Sequence, residues 1–375
     1  MDSSLPGWDT ALFVSKVNQY YFTGTMQNAL LVITRERKIY YFVRKSFERA
    51  QAESPLSGIF PMRSYRDAAA VIGSALGNTY VEADVIPLAY ITRLEKNFEI
   101  TQLGALDNII KYQRAVKSPY ELFYMQESGK RGAKIVTEIA PALLKEGMSE
   151  ADYHSALFTQ MVKHGHTGVT RFNAFQIELF MAQTTFGNSS LNPLDFDGPS
   201  GGLGGAFAPG TPSLEKILKK GDLVLTDISL CYNGYNSDTT QICSFGAKPA
   251  PDILRLQQEC ADIRDRVADS LRPGEIPSKI YTKVLDNLTP DIRKNFMGYG
   301  ARRSAFVGHG IGLTVDEYPV IAKGFDIPLE ENMTFAVEPK VGIEGAGLIG
   351  VEDVYVVTPH GGRCLTAGNS EIIVI

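Results

Sequence analysis

Asn233-Gly234, set between Tyr232 and Tyr235, constrains this chain more than any other pair of residues. Asn-Gly between apolar, β-branched runs is the strongest short hairpin signal a sequence offers. Leu223, Val224, Leu225 and Ile228 supply one predicted strand, and Thr239 to Ile242 belong to its return strand. With a two-residue turn, Tyr232 pairs with Tyr235 and Ser229 with Asp238. Side chains alternate faces, so Asp227 shares the face of Ser229 and lies diagonal to Asp238, roughly 7–8 Å away at the Cα. Like charges so placed repel, and no Lys or Arg occurs in the twenty-one residues from Asp222 to Ile242. A bound cation is the simplest partner. The alternative is a pair of ordinary acids on an open, wetted sheet face.

The chain has 375 residues, enough for two separate cores or one large one. An apolar fraction of 44% with 21% charged residues is that of a soluble globular protein, and a net charge of -5 without a Lys/Arg stripe argues against a nucleic-acid partner. There is no run of eighteen apolar residues and no basic-then-apolar leader, so no membrane partner and a cytoplasmic location are expected. Four cysteines, Cys231, Cys243, Cys260 and Cys364, lack CxxC spacing and read as reduced, structural thiols.

Residues 1 to about 112 alternate strands and helices, with strands at Ala29 to Thr34 and Lys38 to Val43, a helix over Ala68 to Leu76, and another strand beginning at Tyr80. This is an α/β pattern, and it contains no His. Ser118-Pro119-Tyr120-Glu121 opens a helix with a capping residue and Pro at the first position, so the domain boundary is placed there, dividing 1–115 from 116–375. Amphipathic helices follow over Glu121 to Glu146 and Ser149 to His164, and strands from Phe172. The loop Asp195 to Gly205 is glycine-dense and irregular, either a plain surface loop or a pocket wall with Asp195 or Asp197 facing a ligand. Helices are expected at Pro251 to Arg272 and Lys279 to Asn287, and strands at Thr334 to Val337, Gly350 to Val357 and Glu371 to Ile375.

Three further stretches display chemistry. Gly308-His309-Gly310-Ile311-Gly312 sets a His among glycines, where backbone can approach a ligand and the imidazole can coordinate. Phe335-Ala336-Val337-Glu338-Pro339 ends an apolar strand in a carboxylate stopped by Pro. Gly350-Val351-Glu352-Asp353 sets an acid early in an apolar strand, where burial without a partner is costly.

The ordered series LVLTD, NSDTT, GHGIG, FAVEP and GVED, with eleven positions from Asp227 to Asp238, resembles the metal-ligand set of the pita-bread metallopeptidases, the family of methionine aminopeptidase, prolidase and aminopeptidase P. The resemblance covers 116–375. More loosely, Tyr20 to Gly24 and the α/β pattern resemble the N-terminal domain of prolidase, aminopeptidase P and creatinase. It implies an α/β N-terminal domain followed by an α+β pita-bread domain, a curved antiparallel sheet covered by helices. It further implies two divalent metal ions (Mn, Co, Fe or Zn), with Asp238 and Glu352 bridging them, Asp227 chelating one, and His309 with Glu338 completing the other. Such ions can share a water, lower its pKa and polarise a carbonyl, with Glu338 as the general base. Creatinase works without metal and lacks this set. A homodimer is what the two-domain relatives imply.

The pattern also departs from the family. Its peptidases usually carry a second His seven positions after the ligand, where this chain has Asp316, and a Pro-His motif shortly before the first metal Asp, where this chain has no His between Phe172 and Asp227. The Arg that commonly follows the second Asp by three is Gln241. An ionised Asp316 cannot donate to a developing oxyanion, so it is either held protonated by burial or binds a cationic group of a different substrate. Three functions are therefore weighed. The first is an Xaa-Pro-peptidase-like metallohydrolase cleaving an amide near the free N-terminus of a small peptide. The second is a metal-dependent C–N hydrolase or lyase of a small, cationic solute. The third is a catalytically silent binding protein.

Overall fold

A strand whose consecutive residues are apolar must be covered on both faces, and Ala29–Thr34 is such a strand over its first five residues. In the computed structural model, which describes residues 1–174, 177 and 181–375, Leu30 and Val32 join Leu12 and Phe42 in one buried cluster. The alternate residues Ala29 and Leu31 join Ala11, Tyr41 and Val43 in another. The chain divides into two units, Met1–Gln113 and Arg114–Ile375. The first unit runs β1 (Thr10–Phe13), α1 (Lys16–Thr23), β2 (Ala29–Thr34), β3 (Ile39–Val43), α2 (Phe47–Glu53), β4 (Ile59–Pro61), α3 (Tyr65–Ile72), β5 (Ala75–Val81), α4 (Leu88–Leu94) and β6 (Glu99–Ala105). Its mixed sheet has the order β4-β3-β2-β1-β5-β6. The helix expected to reach Leu76 stops at Ile72, because Gly73 takes a positive φ and Leu76 already belongs to β5, so Tyr80 lies near the end of that strand.

Helix α5 (Asp107–Ala115) leads into the second unit, where α6 (Pro119–Lys134) starts as expected. Ser118 Oγ accepts the Glu121 N–H while the Glu121 carboxylate accepts the Ser118 N–H, which satisfies two otherwise orphaned donors. A π-helical turn (Ile135–Ile139), α7 (Ala140–Leu143) and α8 (Glu150–Lys163) complete the helical layer. The expected strands from Phe172 fall partly outside the described residues; β7 is Ala182–Phe186.

The hairpin forms as β8 (Leu223–Tyr232) and β9 (Tyr235–Ser244), with the predicted register of Tyr232 on Tyr235 and Ser229 on Asp238. Asn233 and Gly234 both have positive φ, as a two-residue turn of this hand requires. One face of β8, Val224, Ile228 and Leu230, packs on the helices through Ile135, Tyr153 and Leu157. The opposite face carries Asp227 and Ser229. Helix α6 lies close on β9, since a Cβ at Gly132 would come within 3.1 Å of Ser237 Oγ.

The rest of the unit comprises α9 (Pro251–Asp269), α10 (Pro277–Asp286), α11 (Pro290–Asn295), β10 (Gly298–Tyr299), β11 (Arg302–Arg303), β12 (Phe306–Gly310), β13 (Glu317–Ala322), β14 (Thr334–Val337), β15 (Lys340–Ile343), β16 (Gly347–Gly350), β17 (Asp353–Thr358), β18 (Gly361–Cys364) and β19 (Ile373–Val374). An antiparallel sheet in the order β13-β12-β14-β17-β18 faces the sheet β19-β9-β8-β7. An isolated bridge from Thr240 to Glu352 and the Asn236 N–H to Gly312 carbonyl bond tie the two sheets together. The strand expected over Gly350 to Val357 is broken at Val351-Glu352, so Glu352 sits in a gap between β16 and β17 rather than inside a strand. Among the described residues, no helix is long and apolar enough to cross a membrane.

Candidate metal centre and pocket

Five side chains from separate elements converge where the two sheets meet. Asp227 projects from β8, Asp238 from β9, His309 from β12, Glu338 from the end of β14 and Glu352 from the gap before β17. All five line one cavity of about 350 Å³. Strand β14 ends at Val337, so Glu338 and Pro339 follow directly after it. The adjacent acids Glu352 and Asp353 point to opposite sides: Asp353 pairs with Arg264 of α9 at 2.8 Å, while Glu352 enters the cage and accepts the Thr240 hydroxyl at 2.9 Å.

His309 is oriented for ligation. Its Nδ1 donates to the Gly310 carbonyl at 3.0 Å, which leaves the Nε2 lone pair facing the cage, 3.7 Å from Glu338 Oε1. Donor atoms of Asp238, His309 and Glu352 all lie within 4.8 Å of one another, a spacing that fits one divalent ion in an oxygen-rich, single-imidazole site. Burial, together with the charges of Glu352 and Asp227, pushes the Asp238 carboxyl well above the usual carboxylate range. Burial raises the Asp227 carboxyl to about 6 even though a lysine stands beside it.

That lysine adds a partner beside the bound cation expected between the carboxylates of the hairpin. Lys340, wholly buried at the start of β15, places its Nζ 3.2 Å from Asp227 Oδ2, 2.7 Å from Glu338 Oε2 and 2.6 Å from Glu352 Oε2. Burial disfavours its charge, but the three carboxylates outweigh that and hold its pKa well above the ordinary lysine value. The hairpin itself lacks a cation, and a residue more than a hundred positions away supplies one. Only the sequence position gives a signal: a Lys directly after Glu-Pro, in a run otherwise apolar.

Above the cage the cavity is walled by Phe172, Phe196, Phe306 and Phe325, with Asp316 and Asp197 as further acids and Lys323 as a basic group. Burial raises the Asp316 carboxyl, with His309 opposing and the charges of Glu317 and Asp197 adding to the rise. Burial would lower the His309 pKa, but Asp316 and Glu338 lift it above the ordinary value. Both acids of the glycine-dense loop are exposed, and of the two only Asp197 lines the cavity. Ser200 of that loop donates to Asp227 at 3.2 Å. Gln241 turns away from the cavity: its Nε2 donates to the Ile242 and Glu371 carbonyls and its Oε1 accepts from Asn369. Gln183 of β7, opposite Asp227 in register, lines the cavity with its Oε1 buried and unpartnered among the described residues. Sequence reasoning did not reach it, since no motif marks a Gln in a short strand.

Residues 124–359 match the family model described as metallopeptidase family M24, and residues 6–116 match that of the creatinase/prolidase N-terminal domain. A Pyrococcus horikoshii Xaa-Pro dipeptidase is 26% identical over 97% of this chain and 94% of its own. Two solved structures share the fold. The Xaa-Pro dipeptidase from Bacillus anthracis superposes with a TM-score of 0.82 at 21% identity, over 100% of this chain and 98% of the other. The X-Pro aminopeptidase from Thermotoga maritima does so with a TM-score of 0.80 at 20% identity, over 98% of each chain.

Proposed function

Because this chain belongs to metallopeptidase family M24 and is a metallohydrolase, we propose that its cage and cavity cleave an amide bond near the free N-terminus of a small peptide, in the manner of the Xaa-Pro peptidases it resembles. The observation that carries this reading is the convergence of Asp227, Asp238, His309, Glu338 and Glu352 on the floor of one cavity that also holds Asp316. In this reading 116–375 is the catalytic domain and 1–115 a creatinase-like N-terminal domain, and the enzyme acts in the cytoplasm as a homodimer. Manganese or another divalent ion of similar preference is the cofactor. The family resemblance implies two such ions.

Asp238, His309 and Glu352 would hold a divalent ion, with Glu338 beside them. The ion supplies a lowered water pKa and polarisation of the scissile carbonyl. The protein's own groups do the rest. Glu338 Oε2 is held by Lys340, so Oε1 is the atom left to take a proton from the attacking water and return it to the leaving amine. Asp316 and Asp197, two acids in one cavity, receive the substrate ammonium, which offsets the charge each imposes on the other. Gln183 Oε1, unpartnered among the described residues, accepts an N–H of the substrate. Lys323 meets a free carboxylate, so a zwitterionic dipeptide finds a partner for each end.

The paired acids also favour a second reading, in which a small cationic solute lacking a peptide carboxylate loses a C–N bond. A panel of Xaa-Pro dipeptides and tripeptides, each with its N-acetylated counterpart, separates the two in the presence of Mn or Co. Turnover of the free-amine peptides and not of the acetylated ones is expected. A metal-loaded protein inert to the whole panel transfers the assignment to the cationic solute.

A further inference from the structure

The position of Lys340 conflicts with a cage built for two ions. Its three ammonium protons have three carboxylate partners, Asp227, Glu338 and Glu352, so the group is saturated where it stands. The stem is built in as well. Gly350 faces Lys340 across β15 and β16 with a φ of 143, and a Cβ there would fall 2.7 Å from Lys340 Cα and 2.9 Å from its Cγ. Gln257 of α9 fixes that glycine by bonding both its N–H and its carbonyl at 3.0 Å. A divalent ion chelated by Asp227 and Glu352 would need to lie about 2.0–2.2 Å from their oxygens, in the space the Nζ fills. Asp238 and His309 are not among the hydrogen-bond partners of Lys340, and their donor atoms with one from Glu352 remain grouped within 4.8 Å.

We propose that the Lys340 ammonium stands in for one of the two divalent ions the family resemblance implies, so that the centre takes up a single ion, on Asp238, His309 and Glu352. The inference rests on the metallohydrolase reading and narrows it. One ammonium and one divalent ion offset three of the four carboxylate charges of Asp227, Asp238, Glu338 and Glu352, which leaves little electrostatic demand for another cation.

The test strips the full chain with chelator, titrates it with manganese chloride, counts bound Mn per chain after desalting, and records the electron paramagnetic resonance spectrum. One Mn per chain with the spectrum of an isolated ion is expected, rising to two in Lys340→Ala and falling to none in His309→Ala. Two exchange-coupled Mn in the wild type overturn the lysine inference and leave the hydrolase reading standing. One Mn in both wild type and Lys340→Ala also overturns it, since the lysine then excludes nothing. No ion in either protein, with manganese and then with cobalt, iron and zinc in its place, removes the hydrolysis proposed for the cage and the inference with it. Retention of one Mn in His309→Ala overturns the assigned ligands. If Lys340→Ala does not fold without metal, the wild-type count and spectrum decide the matter alone.

Discussion

Two buried clusters of opposite charge lie within the second unit and are built on opposite balances. In one, a single ammonium, Lys340, faces Asp227, Glu338 and Glu352, with Asp238 nearby. In the other, a single carboxylate, Glu317, is gripped by Arg114 and Lys117, the latter at 3.2 Å. Glu317 is buried, but Arg114 and Lys117 outweigh that burial and bring its carboxyl down to about 2. Asp238, by contrast, is driven up. A cluster with more cations than acids is closed and structural: it ties the start of the unit to β13. A cluster with more acids than cations, opening on a cavity, is unfinished and calls for something positive from outside.

The comparison breaks most visibly at Asp238. Asp238→Asn removes an ion ligand and a buried like charge together. Activity is expected to fall by about 10³-fold, the several kcal/mol a divalent ion contributes to a charged transition state. In chelator the same variant is expected to melt higher than the wild type, because an acid with no cation of its own has been neutralised. A melting curve beside an activity assay checks both, and a lower midpoint in chelator would place Asp238 with the structural acids instead.

Glu317→Ala is the opposite case. Stripping the carboxylate from two buried cations is expected to cost about 3–5 kcal/mol, measured by urea unfolding. The pH dependence carries the same contrast. With the folded pKa of Glu317 depressed to about 2 from an unfolded value of 4.5, its contribution is fully present above the unfolded value and is lost as pH falls from there toward 2. Asp227, raised from 3.8 to about 6, has the reverse sign: in the metal-free protein its contribution is present at low pH and is lost as pH rises across that interval. Stability of chelator-treated protein against pH, in the wild type and in Glu317→Gln, resolves the two limbs, the acid limb flattening in the variant.

Asp316→Asn acts above the cage rather than within it. A charge-assisted contact to a substrate ammonium contributes about 1.5–3 kcal/mol, so kcat/KM for free-amine dipeptides is expected to drop about 10- to 100-fold. The count of bound metal should stay at the wild-type value. A loss of metal instead would move Asp316 into the coordinating set.

Much of this contrast was legible in the chain. The hairpin and its register follow from a local turn and the strict alternation of side chains, so Asp227 and Asp238 could be set on one face without coordinates. His309, Glu338 and Glu352 could be singled out because glycines, a proline and an apolar strand are unusual settings for such groups. What could not be read were contacts made at long range. Lys340 reaches Asp227 across the fold, while the hairpin from Asp222 to Ile242 contains no Lys or Arg of its own. Glu352 lies between strands because its carbonyl bonds Thr240 of the other sheet, a pairing no local pattern encodes. The early helix end at Gly73 has a local cause, a positive-φ glycine that helical periodicity alone does not register.

The smallest effect belongs to Lys323, which is exposed at the cavity wall where the cage groups are buried. Solvent screens such a charge, and exposed pairs contribute up to about 1 kcal/mol, so Lys323→Ala is expected to raise KM for dipeptides by about fivefold or less. The change should fall on KM and leave kcat near the wild-type value, because the contact is made equally in the ground and transition states. Dipeptide amides, which lack the carboxylate, supply the control: wild type and variant should turn them over alike. Equal losses on dipeptides and their amides would mean that Lys323 shapes the wall rather than reading a charge, and the second reading, a cationic solute with no carboxylate, would gain at the expense of the peptide.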